Sequence, residues 1–255
     1  MKISIITIVY NNANCIESCI QSVLSQTYKD IEHIIIDGGS TDGTQKIINP
    51  YIPQLGYYLS EKDKGLYNAL NKGIKAATGD VIGILHSDDL FYESTSVAKI
   101  ANAFTSSDAD LLYANGMYVE RDNIKEVKRI YKAKPYQKRF LNFGWIPLHT
   151  TIYVKKEVFK DYGLYDESYR IASDYDISLR WFKEMNIKKY FLNDWVVTMR
   201  LGGKSTTASL QKKKSSEDFI IIKKHKLLGY VTLFFKIARK IPQYLIPKIV
   251  PVKTT

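Results

Sequence analysis

Residues 31–44 read Ile-Glu-His-Ile-Ile-Ile-Asp-Gly-Gly-Ser-Thr-Asp-Gly-Thr, an apolar run that stops abruptly in an acidic, glycine-rich turn. A continuous run over Ile31–Ile36 suits a strand buried on both faces, with Asp37 at its carboxyl end. The same pattern recurs on either side. Ile3–Val9 ends in Tyr10-Asn11-Asn12, and Val81–Leu85 ends in His86-Ser87-Asp88-Asp89. Helical spacing lies between these runs: Ile16, Cys19, Ile20, Val23 and Leu24 follow a capping-box pair, Asn14 and Glu17. Leu66, Ala69, Leu70, Gly73, Ile74 and Ala77 repeat that spacing, and Gly79 reads as the glycine closing their helix. With a short helix and the strand-like Tyr57–Ser60 in between, the opening spells βαβαβ, which implies a mostly parallel sheet. Ligands of such sheets bind beyond the carboxyl ends of the strands, where every one of these acidic clusters falls.

Working outward, Leu111–Val119 and Lys125–Tyr131 read as strands, Tyr175–Met185 as a helix, and Lys189–Arg200 as strand and turn. The chain has 255 residues, 45% hydrophobic and 25% charged, which excludes disordered and fibrous classes and allows one domain, with or without an appendage. Cys15 and Cys19 cannot build a disulfide framework and lack the spaced partners of a zinc site, so a reducing compartment is expected. The opening apolar run is too short for a secretory signal, and no stretch approaches the ~20 apolar residues of a membrane span. Charge is unevenly spread. Residues 211–255 hold eleven Lys and Arg against Glu217 and Asp218, a balance of +9, whereas residues 1–210 carry only +2. A basic tail on a nearly neutral body points to an anionic surface rather than to nucleic acid, whose readers spread basic charge over the folded domain.

Two nucleotide-binding signatures fail. A dinucleotide fingerprint needs GxGxxG where Tyr10-Asn11-Asn12 stands, and Gly203-Lys204-Ser205 lacks the first glycine of a P-loop because Thr198 occupies its place. What remains is an ordered series: TIVYNN, SVLSQTY (22–28), DGGSTDGT (37–44), EKDKGLYNALNKG (61–73), ATGD (77–80), HSDD (86–89) and IASDYDISLR (171–180). Over roughly residues 1–210 this series resembles the family 2 nucleotide-sugar glycosyltransferases of the GT-A fold, in particular bacterial enzymes building O-antigen and capsule.

The resemblance implies a role for each cluster. Asp37 would accept the imide N–H of uracil, with Thr7 and Tyr10 as the neighbouring wall; the local alternative is that Asp37 and Asp42 cap the glycine turn and the next helix. Asp63 would lie near the nucleotide, unless it only complements a helix N-terminus. Asn68 departs from the aspartate often found there, so a role needing charge is lost. Ser87-Asp88-Asp89 would serve as the DxD motif, with Asp89 as the main ligand of Mn²⁺ or Mg²⁺ and Asp88 reaching the ribose or sharing the ion. Asp174 would be the general base for inversion, the local alternative being an N-cap, with Asp176 in the same first turn. His149 matches a histidine found before that aspartate, and Arg200 or Lys204 would clamp the diphosphate.

The tail from His225 to Ile249 interleaves apolar residues with lysines, as a helix packed on the body or an interfacial helix on anionic lipid would. The expectation is therefore a GT-A domain over 1–210 and a basic amphipathic extension over 211–255. The implied activity is inverting, metal-dependent transfer of a hexose or N-acetylhexosamine from a UDP-sugar to a polyprenyl-diphosphate-linked saccharide, peripheral to the inner face of the cytoplasmic membrane. A catalytically inactive membrane-tethered carbohydrate-binding or scaffold protein of the same fold is the alternative, although a pure binder would have no need of Asp37, Asp88, Asp89 and Asp174 together.

Overall fold

The computed structural model describes residues 1–202 and 208–249. The elements run β1 (Ile3–Val9), α1 (Ala13–Leu24), β2 (Ile31–Asp37), α2 (Thr44–Ile48), β3 (Tyr57–Ser60), α3 (Leu66–Ala76), β4 (Val81–Ile84), β5 (Leu90–Phe91) and α4 (Ser96–Ser106). There follow β6 (Leu111–Val119), β7 (Val127–Tyr131), α5 (Arg139–Asn142), β8 (Ile152–Lys155), α6 (Lys156–Tyr162), α7 (Ser173–Lys183), β9 (Lys189–Arg200), α8 (Ala208–Lys224), α9 (Tyr230–Ala238) and α10 (Lys240–Ile249). One sheet takes the order β3-β2-β1-β4-β8-β6-β9-β5, with β7 paired to the far end of β6. Strands β3, β2, β1 and β4 are parallel, β8 is antiparallel between β4 and β6, and β9 runs parallel to β6.

The apolar runs are strands because both sheet faces are covered. Along β1, Ile6 and Ile8 enter one core cluster with Leu70 of α3 and Phe182 of α7, whereas Ile3 and Ile5 enter another with Cys19 of α1 and Ile100 of α4. Burying such side chains contributes about 1.5–3 kcal/mol each.

Three local readings are corrected. Helix α1 starts at Ala13 rather than after Asn14, because Asp42 of the glycine turn accepts the Ala13 N–H at 3.1 Å and Thr44 Oγ1 accepts that of Asn12 at 3.0 Å. Gly79 is not a left-handed cap. A Cβ there would stand 2.6 Å from Ser4 Oγ and 2.8 Å from the Lys2 carbonyl, so glycine is needed for close approach to β1. Lys189–Arg200 is one continuous strand, its register with β6 shifted near Asn115.

The composition boundary near residue 210 falls inside α8, whose Ile221 and Ile222 are fully buried in the main core. Helices α9 and α10 return over the body: Thr232 donates to the Asn142 carbonyl, Arg239 to that of Phe143, and Arg129 of β7 to Gln243. Their outer side exposes Tyr230, Phe234, Ile241 and Ile249, each more than 60% accessible. Among the described residues no helix is long and apolar enough to cross a membrane.

Candidate active site

The parallel half of the sheet delivers three chain segments to one edge. At the ends of β1 and β2, Tyr10 is 52% exposed. A Cβ on Gly38 would collide with the Asp63 carboxylate and touch the Tyr10 ring, so Gly38 lets these two side chains close around one point. Asp63 also accepts the Gly65 N–H at 2.7 Å, fixing the entry to α3. Asp37 sits behind this cluster, fully buried. Its oxygens take the Ser40 N–H at 3.0 Å, the Ser40 hydroxyl, and the Ser60 hydroxyl at 2.6 Å. The turn-organising reading of Asp37 and Asp42 thus describes their contacts here.

Thr7 is corrected. It is fully buried and bonds His33 Nε2 at 3.0 Å, because alternation along β1 points it at α1 rather than into the crevice. Asn68 donates to Glu167 at 2.9 Å and accepts the Lys64 N–H at 3.2 Å. An aspartate there would face the Glu167 carboxylate, which explains locally why the amide is suited.

Beyond β4 the Asp88-Asp89 turn is held from several sides. Arg200, at the end of β9, donates to the Asp88 carbonyl at 2.8 Å and to Ser18 at 3.2 Å, so it braces the turn from behind. The Asp88 carboxylate is paired at 2.7 Å with Arg121, which follows β6 and also reaches the Leu201 carbonyl and Cys15. Asp89 is 1% exposed, and its Oδ2 has no hydrogen-bond partner among the described residues. Burial, reinforced by the Asp88 charge, pushes its carboxyl well above the usual range.

Asp174 lies in the first turn of α7, partly exposed. Tyr67 of α3 donates its hydroxyl to Oδ1 at 3.3 Å, and Oδ2 stands 3.5 Å from His149 Nδ1. Burial raises the carboxyl, but His149, Lys214 and Lys236 outweigh it, and the group settles below its ordinary value. His149 is pulled down by burial to about 4, so at neutral pH a neutral imidazole faces an ionised carboxylate. The other nitrogen of His149, Nε2, is 2.8 Å from Nε2 of His86, whose carbonyl accepts the Asp89 N–H, so the two imidazoles stand in a row between the Asp88-Asp89 turn and Asp174. If Nδ1–H of His149 faces Asp174, His86 is the donor between the rings. Asp176 is excluded as a substitute base. It is fully buried and locked by Arg180, Lys224 and His225; burial raises its carboxyl, yet the His225 and Lys224 hydrogen bonds bring it down to about 2.

The structure thus brings Asp88, Asp89, His149, Asp174 and, behind them, Arg200 to one edge, and Tyr10 with Asp63 to its neighbour. Lys204 lies outside the described residues. Sequence reading missed His86, Tyr67, Arg121 and Glu217. The last carried a signal, since Glu217 and Asp218 are the only acids in a strongly basic stretch.

For the divalent ion, the donor chemistry fits. A small hard cation takes one or two carboxylates and fills its shell with water and substrate phosphates, and the orphaned, buried Asp89 Oδ2 is such a donor. Among the described residues no group of three or more His, Cys, Asp or Glu is arranged to hold a metal, so no complete protein cage is preformed.

Comparison with known proteins gives the family and the fold. An uncharacterized glycosyltransferase of Rickettsia typhi is 31% identical over 262 residues, covering 92% of this chain and 80% of the relative. Staphylococcus aureus TarS 1–349 in complex with UDP-GlcNAc superposes with a TM-score of 0.70 at 17% identity, covering 98% of this chain and 73% of that one. The chain spans only 44% of the longer TarS structure. The mannosyltransferase PcManGT of Pyrobaculum calidifontis, in complex with GDP-Man and Mn²⁺, gives 0.67 at 15% identity, over 98% of this chain and 76% of that one. At such identities these structures show a shared GT-A fold. The family model for "Glycosyl transferase family 2" matches residues 4–163, more than half of the chain, and the protein therefore belongs to glycosyl transferase family 2.

Proposed function

We propose that this glycosyltransferase is inverting and metal-dependent, moving a hexose or N-acetylhexosamine from a UDP-sugar to a polyprenyl-diphosphate-linked saccharide during cell-surface polysaccharide assembly. One observation carries the reading: an ionised, partly exposed Asp174 is linked through His149 and His86 to the turn bearing Asp88 and Asp89. A base on one side and a diphosphate-binding edge on the other suit single displacement, which needs no covalent intermediate. The bound UDP-GlcNAc of TarS and the GDP-Man with Mn²⁺ of PcManGT support a nucleotide-sugar donor and a divalent ion here.

Tyr10 and Asp63 would hold the nucleoside end, and Asp37 would order the turn beneath them. Asp88 and Asp89 would hold Mn²⁺ or Mg²⁺, which supplies Lewis-acid neutralisation of the departing diphosphate. Arg121 adds a fixed positive charge on the same edge. Asp174 takes the proton of the acceptor hydroxyl as that oxygen attacks the anomeric carbon, and Tyr67 and His149 hold the carboxylate in place. The exposed apolar side of α9 and α10, helices that also carry Arg239 and Lys248, supports peripheral contact with an anionic membrane where such an acceptor resides.

The test is nucleotide release from UDP-Glc, UDP-Gal, UDP-GlcNAc, UDP-GalNAc, GDP-Man and dTDP-Rha, with and without Mn²⁺, using polyprenyl-diphosphate saccharides as acceptors. NMR of the product's anomeric configuration decides inversion. Release from no donor, or retention at the anomeric carbon, would sink the reading.

A further inference from the structure

Four cations from four different elements are gathered on the side of Asp174 covered by the C-terminal helices: Lys214 and Lys236 act on its carboxylate, and Lys240 and Arg129 lie next to them, Arg129 donating to Gln243 of α10 at 2.8 Å. Lys236 of α9 lies 3.5 Å over the ring of Tyr175, the residue after Asp174, and pairs at 2.5 Å with the buried Asp218. Lys214 of α8 is close enough for its charge to act on Asp174, His149, Lys236 and Lys240. Lys240 of α10 feels both Lys214 and Arg129. Arg129 of β7 stands 4.6 Å over the ring of Tyr118, a residue that senses both Asp89 and Asp174 and so lies between the two halves of the site. Among the described residues only Lys236 of the four has a carboxylate within ion-pair distance. Burial and the neighbouring lysine bring Lys236 down to about 8 and Lys240 below its ordinary value, despite Asp218.

Crowded like charges oppose folding, so a chain that gathers them on three packed helices and a strand is organised for an anion. The donor's diphosphate already has its edge at Asp88, Asp89 and Arg121. The second anion must instead belong to a molecule whose reacting hydroxyl reaches Asp174. The helices that supply Lys236 and Lys240 also expose Phe235, Ile241, Tyr244 and Leu245, so an apolar tail has a surface to follow. We propose that Lys214, Lys236, Lys240 and Arg129 form a subsite for the phosphate or diphosphate of a lipid-borne acceptor, holding its sugar at Asp174. The acceptor role rests on the glycosyltransferase reading above; the anion site itself does not.

The experiment uses the full chain saturated with UDP and Mn²⁺, titrated calorimetrically with farnesyl diphosphate and, separately, with farnesol. Farnesyl diphosphate should bind at least tenfold more tightly than farnesol. The double variant Lys214→Gln, Lys240→Gln should lose that advantage by tenfold or more, with UDP affinity held within twofold. Neither lysine has a carboxylate partner among the described residues, so this variant should fold, and circular dichroism checks it. Should it fail to fold, the single Lys240→Gln serves, with a loss of at least threefold expected. Vesicles containing phosphatidylglycerol separate the two sources of phosphate. If the variant loses only vesicle binding and keeps farnesyl diphosphate affinity, the cations serve membrane headgroups and the subsite is refuted. Equal affinity for farnesyl diphosphate and farnesol in the wild type refutes it too. Transfer failing with every donor would overturn the activity while leaving this binding difference intact, so the two failures are distinguishable.

Discussion

Glu217 of α8 accepts the backbone N–H of Ala172 at 3.0 Å, two residues before Asp174, and takes those of Arg170 and Ile171 at 3.0 and 2.9 Å. A buried carboxylate from the basic C-terminal segment thus organises the loop that leads into the helix bearing the candidate base. The contact makes α8 a structural part of the site.

Glu217→Ala should therefore destabilise the fold by at least ~3 kcal/mol, since hydrogen bonds to charged groups contribute roughly 1.5–3 kcal/mol and several buried N–H groups lose their acceptor. Glu217→Gln keeps a carbonyl oxygen and should cost less. In both, kcat for transfer should fall more than UDP affinity, measured by calorimetry beside initial rates. A Glu217→Ala variant with unchanged melting and unchanged kcat would rule out the positioning role.

Removal of residues 225–255 should do more than weaken membrane contact. It strips His225 from Asp176 and Lys236 from Asp218, both buried carboxylates. Breaking a buried pair by removing one partner typically costs about 3–5 kcal/mol. The truncated chain is expected to melt well below the intact one and to lose transfer, by differential scanning calorimetry and by assay. If it melts normally and only vesicle binding is lost, the helical tail is an accessory.

Asp174→Asn should reduce transfer by roughly 10²–10⁴-fold, the usual contribution of a positioned base, with UDP–Mn²⁺ affinity near wild type. A base must be unprotonated to act, and this carboxyl lies below its ordinary value of 3.8, so its loss as pH falls comes only below about pH 4. Asp174 itself should therefore impose no fall in initial rate from pH 7 to pH 5, measured at saturating Mn²⁺ while the protein stays folded. Asp176→Asn should act differently, lowering stability through the Arg180, Lys224 and His225 contacts before it touches the rate constant.

On the donor edge, Asp89→Asn should abolish the response to Mn²⁺ while leaving the circular dichroism spectrum unchanged. Arg121→Gln frees the Asp88 carboxylate from its 2.7 Å partner. In the absence of nucleotide it should raise Mn²⁺ affinity several-fold by calorimetry, and it should weaken UDP binding because a cation on the diphosphate edge is gone. Lower Mn²⁺ affinity in this variant would show that Arg121 does not compete with the ion.

Stability should fall between pH 6.5 and pH 4. Burial alone pulls His33 down to about 3, and burial against the opposing Asp174 charge pulls His149 to about 4, whereas both titrate near 6.5 in the unfolded chain. The unfolded state therefore binds more protons across this window, and folding stability is full above pH 6.5 and lost as pH drops. At pH 5 each histidine costs roughly 2 kcal/mol, at 1.36 kcal/mol per unit, so melting should fall on the order of 10 °C relative to pH 8. His33→Gln should flatten part of that slope.

The parallel strands and the place of the site could be read directly from residues 1–90. A strand buried on both faces must be continuously apolar, so its end is marked by the first polar residue, and that end is where ligands bind in this architecture. Asp37 therefore stands at the end of β2, Asp88 and Asp89 in the turn after β4, Asp63 in the loop before α3 and Asp174 in the first turn of α7, at the places in the chain that the pattern predicts. What those carboxylates touch depended on the fold. Arg121 reaches Asp88 from 33 residues away, His86 meets His149 across 63, and Glu217 caps residues 45–47 positions before it. Sequence periodicity records which face a residue presents, and it carries no information on which distant residue shares that face. For the same reason Asn14 and Glu17 looked like a cap although Asp42 and Thr44 supply it, and Thr7 looked like a pocket wall although it faces α1. Strands, their ends and the residue types gathered there follow from the order of residues alone, because burial of apolar surface is written residue by residue. Which carboxylates are locked, which are open and which carry charge is set by the folded chain, because pairing and desolvation arise where separate segments meet.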